Sequence, residues 1–137
     1  MNDLIERLEK ATGSDRKLDA QIECAVMGGS CIIHPDARIS DGYVLCGPQA
    51  YFAKPYTSSI DAALTLVPPT DWEWLVRNHN GKRDGEGNGK GKSHFANVLT
   101  FDPEGPMFSA YASGPAIALC IAALKARLSL PNESKVP

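Results

Sequence analysis

The sequence predicts an α+β protein: a layered α/β/α sandwich with a small, mainly antiparallel sheet and a buried C-terminal helix. Three observations predict it. Residues 113–127 form a helix pattern that is apolar nearly all round, and such a helix is buried rather than laid on a surface. Three strand-like runs between residues 72 and 111 follow one another with no helix between them, so they pair antiparallel as a meander. Two helical patterns open the chain, and a third lies near residue 60. With 137 residues, one domain spanning 1–137 is expected, long enough for a single core.

Taken in order, residues 2–11 form the first helix, with Leu4, Ile5 and Leu8 as its apolar face. Gly13 ends it and Ser14 is placed to cap the next. Residues 15–27 put Leu18, Ile22 and Val26 on one narrow stripe, with Asp15, Arg16, Asp19 and Glu23 elsewhere. A narrow stripe predicts a surface helix with solvated carboxylates. Gly28 and Gly29 stop it. Cys31–His34 and Tyr43–Cys46 are short strands joined by a long loop that begins at Pro35. Tyr51 and Phe52 fit either a strand fragment or the loop. Thr57–Val67 reads as a short helix, capped by Thr57 or Ser58 and ended by Pro68 and Pro69.

Trp72–Arg77 alternates, placing Trp72, Trp74 and Val76 on one face of a strand. Residues 79–93 then carry most of a Gly/Lys stretch with no large apolar side chain, expected to be a flexible, solvated loop. Phe95–Phe101 and Met107–Tyr111 are the last strands, with a turn at Asp102–Gly105. In the final helix Ser113 or Gly114 is the cap, Pro115 suits the first turn, and Lys125 and Arg127 suit the negative end of the helix dipole. Ile117, Cys120, Ile121 and Leu124 form its main stripe. Residues 129–137 read as a disordered tail.

Charge and composition narrow the function classes. Lys and Arg number 14 against 16 Asp and Glu, a net charge of −2. That argues against general nucleic-acid binding, which favours basic domains. No run of 18 apolar residues occurs, so no membrane span is expected. Met1–Lys10 mixes acidic and basic residues without the apolar stretch of a secretory signal. A cytoplasmic location with reduced thiols follows as the expectation. Cys24, Cys31, Cys46 and Cys120 include no C-x-x-C pair. Cys24 and Cys120 read as small core residues.

No catalytic constellation is legible. Glu86–Ser93 approximates a phosphate-binding P-loop, but Glu86 stands where glycine is needed and a strand follows in place of a helix. Cys31, His34, Cys46 and Cys24 lack the paired spacing of a zinc site. His34, His79 and His94 belong to no nucleophile or metalloprotease motif. Neither a metal nor a cofactor is expected. What remains is a binding surface. Arg77, Lys82, Arg83, Lys90 and Lys92 outnumber Asp84 and Glu86. Glycine-rich backbone with surplus cations can close on an anion such as a phosphate. Tyr51, Tyr56, Trp72 and Trp74 supply aromatic faces for packing, for an interface or for stacking on a base. The expected ligand-binding set is therefore Tyr51, Tyr56, Trp72, Trp74, Arg77, Lys90, Lys92 and His94.

Three separated segments also carry a resemblance. They are Leu4–Ile22, then Pro55–Pro68 with Trp72 and Trp74, then Gly114–Arg127. In that order they resemble the small phage proteins grouped as the phage ABA sandwich domain. Residues 28–50 and the Gly/Lys loop are longer than that pattern. The resemblance implies an α/β/α layered fold, a phage or prophage origin and no agreed catalytic motif. Together with the residues, it sets the functional expectation: a small non-enzymatic phage accessory protein of the host cytoplasm that binds and sequesters a host nucleotide signal, most simply as a homo-oligomer. The other class is a structural or protein-interaction module with no small-molecule ligand.

Overall fold

A computed structural model describes residues 2–28, 31–34, 42–68, 72–78, 94–100 and 105–129. Its elements are α1 (Asn2–Lys10), α2 (Arg16–Val26), β1 (Cys31–Ile33), β2 (Tyr43–Cys46), β3 (Gln49–Phe52), α3 (Ile60–Leu64), β4 (Trp72–Asn78), β5 (His94–Thr100), β6 (Met107–Ala112) and α4 (Pro115–Leu128). The protein is α+β, its strands are antiparallel and its C-terminal helix is buried, as the sequence predicts. The strands divide into two three-stranded meanders, β1-β2-β3 and β4-β5-β6. Tyr51 and Phe52, ambiguous in the sequence, belong to β3, which supplies the third strand of the first sheet by pairing with β2.

Helix α4 is the centre of the molecule. Ten of its residues are buried. The second sheet covers one side, while α1 and α3 cover the other. Alternation explains the sheet side: Ala96, Val98, Ala110 and Ala112 face α4, and their small side chains let the helix sit close. Gly114 is the N-cap and offers no side-chain bond. Ser113 instead donates to the Ala11 carbonyl. At the other end Arg127 donates to the carbonyls of Leu66 and Thr65, closing the end of α3.

Helix α2 is not the surface helix its narrow stripe predicts. Successive residues rotate by about 100°, so its i, i+4 pairs form adjacent strips. Leu18 and Ile22 enter the main core. Ala20 and Cys24 line a smaller core with Val44 and Ala53. Between these strips lie Asp19 and Glu23, both buried. The expectation of solvated carboxylates fails here because residues 51–57 bring hydrogen-bond donors to both, and a paired carboxylate can be buried. Capping also differs. Asp15, not Ser14, caps α2 by accepting from the N–H groups of Lys17 and Leu18. Ser59, not Thr57 or Ser58, caps the shorter α3. Thr57 is drawn away to Asp19.

The first sheet rests on α2 through β1 and β2. Cys31 and Cys46 are directly opposed across these strands and are joined as a disulfide, which corrects the expectation of four reduced thiols. Cys24 and Cys120 remain unbonded.

Candidate functional site

Two of the expected ligand-binding residues are committed to the fold. Tyr51 and Tyr56 donate their hydroxyls to the two oxygens of Glu23, at 2.8 and 2.6 Å. Tyr56 is fully buried. The Tyr51 hydroxyl also lies 3.3 Å from Cys46 Sγ. Burial, then the hydrogen bond to the Glu23 carboxylate, pushes the Tyr51 phenol up to about 12. The same causes push Tyr56 higher still. Burial, with the Glu23 charge, also raises the Cys24 thiol. Burial raises Cys120, whose Sγ donates to the Tyr56 carbonyl. Tyr51, Tyr56 and Cys120 are thus held in neutral, hydrogen-bonded forms, and Cys24 as a neutral thiol.

The other expected residues sit on the second sheet. Trp72 packs on the core beside Phe108. Trp74 shares that face by alternation but is 46% exposed, since β4 is an edge strand and α4 lies chiefly over β5 and β6. Arg77 is on the opposite face, its guanidinium 4.9 Å above the Phe95 ring, which in turn lies against Tyr111. His94 pairs with Ala112 at the start of β5. Lys90 and Lys92, the P-loop-like stretch and the rest of the 79–93 loop lie outside the described residues. The structure therefore places Tyr51 and Tyr56 together on Glu23, and Trp72, Trp74, Arg77 and His94 on another sheet and on both its faces. Among the described residues they do not converge on one pocket.

A different group of side chains does converge. The seam between α1 and α2 opens into a groove of about 560 Å³, lined by Arg7, Lys10 and Lys17 together with the turn that joins the helices. Arg7 and Lys10 are one turn apart on α1. Lys17 faces them from the first turn of α2, where it belongs to neither core. No ion pair or side-chain hydrogen bond engages any of the three cations among the described residues. The carboxylate of Asp15 also lines the groove, but it is occupied with the backbone of α2.

Gln21 stands one turn beyond Lys17. Its Oε1 is buried and has no hydrogen-bond partner among the described residues. Together with Arg7 it also lines a second groove of about 530 Å³, where Leu4, Cys24, Ala25, Ile32 and Ile33 form an apolar wall. The two grooves thus share a boundary and run along one seam. The signal in the sequence was the i, i+4 pair Lys17 and Gln21 facing Arg7 and Lys10. It was masked because each residue reads as an ordinary solvated position until α1 and α2 are docked.

Comparison with protein-family models, with curated proteins and with solved structures returns no match. Among the described residues no helix is long and apolar enough to cross a membrane.

Proposed function

We propose that this protein is a non-enzymatic binding protein that takes a phosphate-bearing, nucleotide-like small molecule into the α1–α2 groove and withdraws it from solution. The observation that carries this reading is the convergence of Arg7, Lys10 and Lys17, unpaired, on one concave seam of a protein that is negative overall. Three cations in a concave site raise the local concentration of anions and supply charge-assisted hydrogen bonds. The resemblance to the phage ABA sandwich proteins supports a phage accessory role for such binding, directed at a nucleotide signal of the host.

A second reading is assembly with another copy of this chain. It is favoured by apolar side chains exposed on both sheets, among them Ile32, Phe52, Leu75 and Met107.

Isothermal titration with pyrophosphate and with nucleoside triphosphates tests the first reading. The wild-type protein binds at least one of them, with affinity that falls as salt rises. The double variant Lys10→Glu/Lys17→Glu loses tenfold or more. Failure of every one of these anions to bind the wild-type protein removes the reading. Light scattering on the same sample then shows whether the assembly reading takes its place.

A further inference from the structure

We infer that the apolar groove beyond Arg7 and Gln21 seats a nucleobase, so that the ligand is a nucleoside phosphate and not a bare or acyl phosphate. This rests on the anion-binding reading of the neighbouring basic groove. The two grooves share Arg7 and Gln21, so a molecule whose phosphate lies at Lys10 and Lys17 projects its remaining body toward Cys24, Ala25, Ile32 and Ile33. Along α2 the distance from Lys17 to Ala25 is about 12 Å at the helical rise, more than a lone phosphate spans.

Charge fixes which end is which. Asp3 lies in the apolar groove and Lys10 and Lys17 in the basic one. Arg7 borders both, so Asp3 leaves the apolar groove without a surplus of positive charge, whereas Arg7, Lys10 and Lys17 outnumber Asp15 in the basic one, and an anionic group is drawn to the second. Ile32 and Ile33 are 56% and 48% exposed on the short strand β1. They offer apolar surface that a flat, weakly hydrated ring can cover.

Polar chemistry separates a base from an acyl chain. The Gln21 carboxamide has an acceptor without a partner, and leaving a buried acceptor unpaired is unfavourable. Turning the carboxamide about its last torsion presents either its oxygen or its nitrogen to the groove. The ring and exocyclic nitrogens of a base can meet it, and the Asp3 carboxylate can accept from an exocyclic amine. A hydrocarbon chain can do neither.

The test compares pyrophosphate, nucleoside triphosphates and decyl phosphate on the full chain by isothermal titration. At least one nucleoside triphosphate binds the wild-type protein about tenfold or more tightly than pyrophosphate, since burying a base adds apolar and hydrogen-bonded contact. Ile33→Ser reduces that difference and leaves pyrophosphate binding unchanged, since Ile33 lines only the apolar groove, and Gln21→Ala reduces it as well. Ile32→Ser is a second apolar variant, and both isoleucines are exposed, so the fold is retained and checked by its melting temperature. Two outcomes overturn the base seat while leaving the basic groove in place. One is a nucleotide that binds no tighter than pyrophosphate. The other is decyl phosphate gaining as much as the nucleotide. Absence of binding by all three compounds overturns the base seat and the anion-binding reading together.

Discussion

Asp19 holds Thr57 by two bonds to a single oxygen: Oδ1 accepts both the backbone N–H and the hydroxyl of Thr57, each at 2.8 Å. The other oxygen accepts from Arg16 at 2.6 Å. Arg16 in turn donates to the Ala53 carbonyl, and the Thr57 hydroxyl receives the N–H of Asp15. One buried carboxylate therefore fastens the segment before α3 onto the start of α2. Since α2 carries both grooves, this bond network sets the position of the candidate site.

Removing either partner exposes the asymmetry of buried hydrogen bonds. Asp19→Ala leaves the Thr57 donors and the Arg16 guanidinium without their acceptor, and a loss of about 3 kcal/mol of stability is expected. Thr57→Val removes only the hydroxyl, for about 1–2 kcal/mol. Thr57→Ser keeps it and recovers most of that loss. Urea unfolding of the three variants checks the order. Equal stability of Thr57→Val and the wild-type protein would show that the hydroxyl contributes nothing.

Alkaline pH loosens the other half of the same layer. The Tyr51 phenol ionises at about 12 in the folded protein against about 10 in an unfolded chain. The folded value is raised, so the stabilisation is full below about pH 10 and is lost as pH rises toward 12. Tyr56 shifts in the same direction. The urea midpoint is expected to fall between pH 9 and 12, and to fall less steeply in Tyr51→Phe. The lysines titrate in both proteins, so the comparison isolates the tyrosine. Parallel curves for the two proteins would refute the assignment.

Much of this architecture was legible in the sequence because the signals were local. The apolar circumference of α4, its Pro115 start and the alternation in β4 each follow from a few neighbouring residues. Asp19, Glu23 and Thr57 were not legible for the opposite reason. A carboxylate is solvated unless a donor reaches it, and Thr57, the donor to Asp19, lies 38 positions away along the chain. The same holds for Tyr51 and Tyr56, which read as ligand-stacking groups until Glu23 claims their hydroxyls. The basic groove is a product of helix docking. Arg7, Lys10 and Lys17 are three unremarkable surface cations in one dimension.

Gly42 is another position whose constraint is visible only in three dimensions. Its φ is +95°, and a Cβ there would lie 2.7 Å from Arg16 Nε. Arg16 has little room to yield, being bound to Asp19 and to the Ala53 carbonyl. Gly42→Ala is expected to cost about 2 kcal/mol, part from the backbone and part from displacing Arg16. A cycle with Arg16→Ala separates the two parts: the alanine costs less once the guanidinium is gone. Strict additivity would place the whole cost in the backbone.

The Cys31–Cys46 bond acts on the element that carries the apolar wall. His34 donates its N–H to the Tyr43 carbonyl, so alternation makes Cys31 and Cys46 a non-hydrogen-bonded pair, the closer of the two antiparallel pairings. Their Cα atoms are 4.1 Å apart. Strand β1 has three residues and rests chiefly on β2 and α2 among the described residues, which makes the covalent link a large share of what holds it. With the cysteines 15 positions apart in the chain, a stabilisation of up to about 3 kcal/mol is expected from the closed loop. Cys46→Ser should therefore lower the urea midpoint. It should also speed amide exchange in residues 31–34 and leave β4, β5 and β6 protected, because these pack on α4. If exchange instead rose equally in both sheets, the bond would be stabilising the whole fold rather than pinning β1, and its removal would bear on the candidate groove only through global unfolding.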